Sequence, residues 1–117
     1  MVENNFQGFC MPPRRVNTSQ AKQIIKSGKP VVVKLFSPGC PSCSEASPEI
    51  QSASCPYKQE AEFLEIDIDQ DGALADELKV TSIPFVAGFK GGQLVQKKVG
   101  ADKSAAYEKW IKKLLGK

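Results

Sequence analysis

The chain has 117 residues, of which 41% are hydrophobic and 25% charged, with four cysteines, no histidine and a formal net charge of +3. That length suits one domain with its own core, and the cysteines are too few for a disulfide scaffold. The basic residues are dispersed apart from Lys97-Lys98 and Lys109, Lys112 and Lys113, which read as solvated faces, so no nucleic-acid partner is expected.

No apolar run approaches the length of a membrane span, and Met1–Phe6 carries neither a basic n-region nor an apolar h-region. The expectation is a cytoplasmic monomer without membrane contact. In that compartment thiols stay reduced, and a close cysteine pair is catalytic or metal-binding rather than structural.

Residues 1–13 read as an N-terminal extension and 14–117 as the domain. Pro12 and Pro13 bar a central strand, leaving a short edge strand near Arg14–Val16. Asn17, Thr18 and Ser19 offer N-caps for a helix ending near Ser27, where Gly28 and Pro30 stop it. Val31–Phe36 is apolar and largely β-branched, the signature of a strand buried on both faces, although Lys34 interrupts it. Cys40-Pro41-Ser42-Cys43 follows, opening a helix to about Ala53 that Pro48 should kink.

Beyond that helix, Glu62–Ile68 alternates as a strand does, and Ala73–Leu78 forms a short helix. Asp67, Asp69 and Asp71 lack a calcium-loop pattern and read as a loop and helix cap. Phe85–Phe89 and Leu94–Val99 flank the glycine turn of a hairpin. Asp102 or Ser104 caps a final amphipathic helix burying Tyr107, Trp110, Ile111 and Leu114.

Two cysteines spaced three apart at a helix start can close a small disulfide ring. The first sits where unpaired backbone N–H groups and the helix dipole favour a thiolate. That arrangement suits exchange of electrons between thiol and disulfide forms, with no cofactor beyond the dithiol and no metal.

The element order, with Cys-X-X-Cys after the buried strand, resembles the thioredoxin family over about residues 14–116. Pro48 stands five residues after Cys43, Ile83-Pro84 matches the family's cis-proline, Phe89-Lys90-Gly91-Gly92 its hairpin, and Val99-Gly100-Ala101 the end of its last strand. The resemblance implies an α/β three-layer fold, a central mixed sheet of four to five strands flanked by about four helices. It also implies a protein-disulfide reductase in which Cys40 is the nucleophile and Cys43 the resolving thiol. Gly39, Pro41, Ser42, Ile83, Pro84 and Gly100 would contact substrate. Partners would be disulfide-containing proteins, with a thiol reductase or glutathione as electron donor.

Two departures stand out. Thioredoxins carry Trp-Cys-Gly-Pro-Cys, whereas Gly39 precedes Cys40 here, so the covering indole is missing. The family's buried aspartate corresponds to Lys34, and its lysine on the neighbouring strand to Glu65. A charge-swapped Lys34–Glu65 pair beneath the site would tune proton transfer to or from Cys43; the alternative is that Lys34 snorkels to solvent.

In the resembling fold Cys10 and Cys55 fall on the face opposite the dithiol, where a second disulfide or two free thiols are the options. Trp110 reads as a packing residue rather than a substitute for the missing indole. Two other functions compete with the oxidoreductase. One is a four-cysteine zinc site of Cys10, Cys40, Cys43 and Cys55. The other is an adaptor binding partners at the Ile83-Pro84 groove with little turnover.

Overall fold

The computed structural model describes residues 10–117, so most of the expected 1–13 extension lies outside the described residues. Its elements are β1 (Arg14–Arg15), α1 (Thr18–Lys26), β2 (Val31–Phe36), α2 (Pro41–Ser54), β3 (Glu62–Asp67), α3 (Ala73–Glu77), β4 (Phe85–Lys90), β5 (Gln93–Val99) and α4 (Ser104–Leu114). A short 3-10 turn, Cys55–Tyr57, follows α2.

The five strands form one sheet in the order β1-β3-β2-β4-β5. β1 and β2 each pair in parallel with β3, while β4 runs antiparallel to both β2 and β5. The apolar run of β2 takes a central position, where both faces must be covered.

Side chains alternate across a strand, and that alternation divides the core. Val31, Val33 and Leu35 join Leu64, Ile66, Phe85 and Phe89 under α1 and α3. Val32 joins Phe63, Val86, Ala46, Ile50, Tyr107 and Ile111 under α2 and α4. The result is the expected three-layer α/β fold.

Local chemistry sets the boundaries. Asn17 closes a full capping box at the start of α1, its side chain accepting from Gln20 N–H. Gly28 leaves the helix with φ +89°, a left-handed exit that glycine makes without strain. Gly91 and Gly92 both have positive φ between β4 and β5, as a primed two-residue turn requires. α2 runs through Pro48 without interruption.

The start of α4 differs from the sequence expectation. Neither Asp102 nor Ser104 is its N-cap: that position is Lys103, whose side chain caps nothing. The Ser104 N–H instead donates to Glu49 Oε1 of α2 at 2.8 Å. A carboxylate from a neighbouring helix thus serves the positive end of α4, an arrangement that sequence neighbours cannot disclose. Trp110 packs over Gly88 of β4, where an added Cβ would lie 3.0 Å from the ring.

The aspartates after β3 form a loop and cap. Asp67 Oδ1 accepts from Asp69 N–H, and Asp69 accepts from the Ser37 hydroxyl. Asp71 joins two helix starts, accepting from Thr18 N–H at 2.8 Å, from the Thr18 hydroxyl at 3.0 Å and from Ala73 N–H at 3.1 Å.

Cys10 and Cys55 lie at disulfide-bonding distance, their Cα atoms 5.6 Å apart, and the Gln51 side-chain amide donates to the Cys10 carbonyl. This contact fastens the segment before β1 to the end of α2.

The bonds from Thr18 N–H, then Ala73 N–H, then the Thr18 hydroxyl hold the Asp71 carboxyl below its ordinary value. The folded state therefore resists protonation more than the unfolded chain does. The stability this carboxylate contributes is fully present above its unfolded value and is lost as pH falls through the lowered folded one. Urea unfolding across the acid range should show a flatter acid limb for Asp71→Asn than for wild type; identical limbs would exclude the linkage.

Closing a loop of sequence separation 45 gives Cys55→Ser an expected cost of roughly 2–4 kcal/mol in urea unfolding without reductant. Adding dithiothreitol should narrow that gap, and a gap that stays the same would show that no bond forms.

Candidate active site

β2 ends at Phe36, and the Ser37–Gly39 loop delivers Cys40 to the top of α2. The Cys40 N–H bonds to the Ser37 carbonyl at 3.1 Å, fixing the turn. Cys40 is the N-cap of α2 in extended conformation, and its Sγ accepts from Cys43 N–H at 3.1 Å. Pro41 occupies the next position, where its missing N–H leaves nothing unpaired. The sulfur of Cys40 therefore takes the place that a serine or aspartate oxygen takes at other helix starts. A thiolate there gains both the N–H bond and the field of the helix.

The two cysteines are at disulfide-bonding distance, with Cα atoms 5.2 Å apart. They differ in access: Cys40 is partly exposed, and Cys43 is 2% exposed. The Gly39 flank is open, since a Cβ built there would meet nothing within 4 Å. The Ser42 hydroxyl lies 3.4 Å from Cys40 Sγ.

Opposite the pair, the Ile83 carbonyl oxygen stands 4.0 Å from Cys40 Sγ. The Ile83–Pro84 bond is cis, and Pro84 is buried. Gly100 N–H bonds to the Pro84 carbonyl at 2.8 Å, and the Gly100 carbonyl accepts from the Tyr107 hydroxyl at 3.1 Å. Those two bonds tie the Ile83–Pro84 turn to the end of β5 and to α4. Cys40, Ser42, Cys43 and Ile83 thus converge, with Gly39 and Pro84 their chain neighbours; Pro41 is exposed, and Gly100 joins through the Pro84 backbone.

Lys34 and Glu65 stand side by side in the β2–β3 register. Lys34 Nζ lies 3.4 Å from Glu65 Oε1, and Lys34 is 3% exposed, so it does not snorkel. Two further residues complete this layer, and the sequence reading assigned neither to the site. Arg15 Nε donates to Glu65 Oε2 at 2.9 Å, and the Ser47 hydroxyl accepts from Lys34 Nζ at 2.7 Å. Arg15 is found through its strand register with Glu65. Ser47 is found through its place one helical turn after Cys43, on the face that meets β2.

The four cysteines do not converge. Cys40 stands at one end of α2 and Cys55 at the other. Fourteen helical residues separate Cys40 from Cys55, about 21 Å of helix. The four-cysteine zinc site is therefore corrected to two separate pairs, and no acidic or thiol cluster of metal-binding shape occurs among the described residues. No helix among them is long and apolar enough to cross a membrane.

A thioredoxin family model matches residues 14–113. The thioredoxin of Griffithsia pacifica is 31% identical over 86 residues, covering 74% of this chain and 79% of that protein. The bifunctional thioredoxin reductase/thioredoxin of Mycobacterium leprae is 31% identical over 83 residues, covering 71% of this chain. The chain spans only 18% of that longer protein. Among solved structures, Malassezia sympodialis thioredoxin superimposes with a TM-score of 0.81 at 25% identity, covering 91% of this chain and 94% of that one. Mitochondrial thioredoxin 3 of Saccharomyces cerevisiae in its oxidised form gives 0.78 at 27% identity, covering 86% and 94%. The chain belongs to the thioredoxin family.

Proposed function

We propose that the protein reduces disulfides of other proteins through the Cys40–Cys43 pair. The observation that carries this reading is the asymmetry of the pair: a partly exposed sulfur caps α2, with its partner buried one turn behind it. The Cys40 thiolate attacks one substrate sulfur, forms a mixed disulfide and releases the other substrate sulfur as a thiolate that takes a proton. Cys43 then attacks Cys40, closes the ring and frees the second substrate thiol. Two electrons pass from the dithiol to the substrate, so no further cofactor is required.

Ile83 presents its backbone beside Cys40 and would bond an extended substrate segment. A shallow cavity of about 230 Å³ lined by Ile68, Val80, Thr81 and Ser82 continues past it. Lys34 and Glu65 tune the buried thiol from below. The electron donor would be a thiol reductase, in keeping with the fused M. leprae relative, or glutathione.

Insulin reduction by dithiothreitol tests the function. Cys40→Ser should lose catalysis by on the order of a hundredfold or more, because the thiol that remains there, Cys43, is buried from substrate. Cys43→Ser should accumulate a mixed disulfide. Wild type no faster than Cys40→Ser would instead leave a binding adaptor. Lys34→Ala should slow turnover more than it lowers stability; unchanged turnover would remove Lys34 from the chemistry.

A further inference from the structure

Ser47 joins α2 to the charged layer beneath it. Its hydroxyl accepts from Lys34 Nζ at 2.7 Å and donates to the Cys43 carbonyl at 3.1 Å. An ammonium only donates, so the serine proton is directed to the carbonyl and the hydroxyl is fixed at both ends. The remaining neighbours of Nζ are farther away, Glu65 Oε1 at 3.4 Å and the Phe36 ring centroid at 5.1 Å. Serine is therefore the shortest contact of this ammonium.

Lys34 does not have its carboxylate to itself. Glu65 is shared, because its second oxygen accepts from Arg15 at 2.9 Å. Two cations therefore contact one carboxylate, and the more exposed of them, Arg15, also lines a groove with Asp67. From β4 the residue facing Lys34 is Val86, which carries no charge. On β3 the next position on that face is Asp67, which accepts from Asp69 N–H and opens with Arg15, Asn17 and Gln20 onto a groove at the β1 edge. On α2, Glu45 is exposed and Glu49 accepts from Ser104 N–H. Among these neighbours the Ser47 hydroxyl is the one that joins the ammonium to Cys43, a thiol 2% exposed.

We propose that Ser47 is a positioning residue that holds the Lys34 ammonium against α2, one hydroxyl away from the Cys43 carbonyl. The Cys43 thiolate then forms beside a fixed positive charge and needs no carboxylate base. This rests on the reading of Cys40 and Cys43 as the exchanging pair. In the resolving step Cys43 gives its proton to solvent and its sulfur attacks Cys40 Sγ. The Cys40–Cys43 bond forms as the Cys40–substrate bond breaks, and the departing substrate sulfur keeps that electron pair and takes a proton from water. The ammonium stabilises the attacking anion without exchanging a proton with it.

A serine whose only task is to bend the helix through its bond to the residue four back would affect stability but not titration. The two roles separate in NMR titrations of the reduced protein carrying cysteine labelled at Cβ. The Cys40→Ser background lets Cys43 titrate without its coupled partner. Ser47→Ala should raise the Cys43 midpoint by roughly half a pH unit or more, and Ser47→Thr should restore it. A midpoint that is unchanged or lower in Ser47→Ala, or that threonine does not restore, overturns the proposal. The titration needs no turnover, so it stays readable in a protein that fails to reduce insulin.

Discussion

An ammonium lies in the middle of the most deeply buried strand. β2 has apolar residues on both sides of Lys34, and burial of its charge would be prohibitive without partners. The partners come from different elements: Glu65 from β3 and Ser47 from α2, with Phe36 offering its ring from the same strand. Arg15 of β1 then holds the far oxygen of Glu65. One buried charge thereby fixes the register of three strands against the helix that bears the dithiol. A buried ion pair is weak evidence for net stability, but removing one member strands the other.

This constraint lies one layer below the sulfurs, and the rest of the site is organised in the same outward order. The end of β2 sets where α2 begins, and the cap position sets which sulfur faces outward. The bonds Pro84–Gly100–Tyr107 then bring the backbone of Ile83 opposite that sulfur. Each stage uses backbone groups or buried side chains, so the outermost residues, Gly39 and Pro41, are left without structural duties toward the core.

Much of this was legible in the residues. Val31–Phe36 declares a central strand, and the glycines at 28, 91 and 92 stand where left-handed backbone is needed. The pairing of Lys34 with Glu65 follows from strand register once the two strands are recognised as neighbours. Ser47 stayed hidden because a serine inside a helix looks like any surface polar residue until the strand beneath it is known. Arg15 stayed hidden because an edge strand of two residues carries almost no pattern. The service of Glu49 to α4 has no sequence signature, since the two residues lie on different helices 55 positions apart.

α2 bears a sulfur pair at each end, Cys40–Cys43 at its start and Cys10–Cys55 at its finish. With both pairs closed, full reduction of one chain takes up four electrons, two per bond. The pair at the start is the one that faces Ile83. Counting total thiols therefore overstates the exchangeable capacity of the molecule twofold. The second pair stands apart from that exchange, at the opposite end of the same helix.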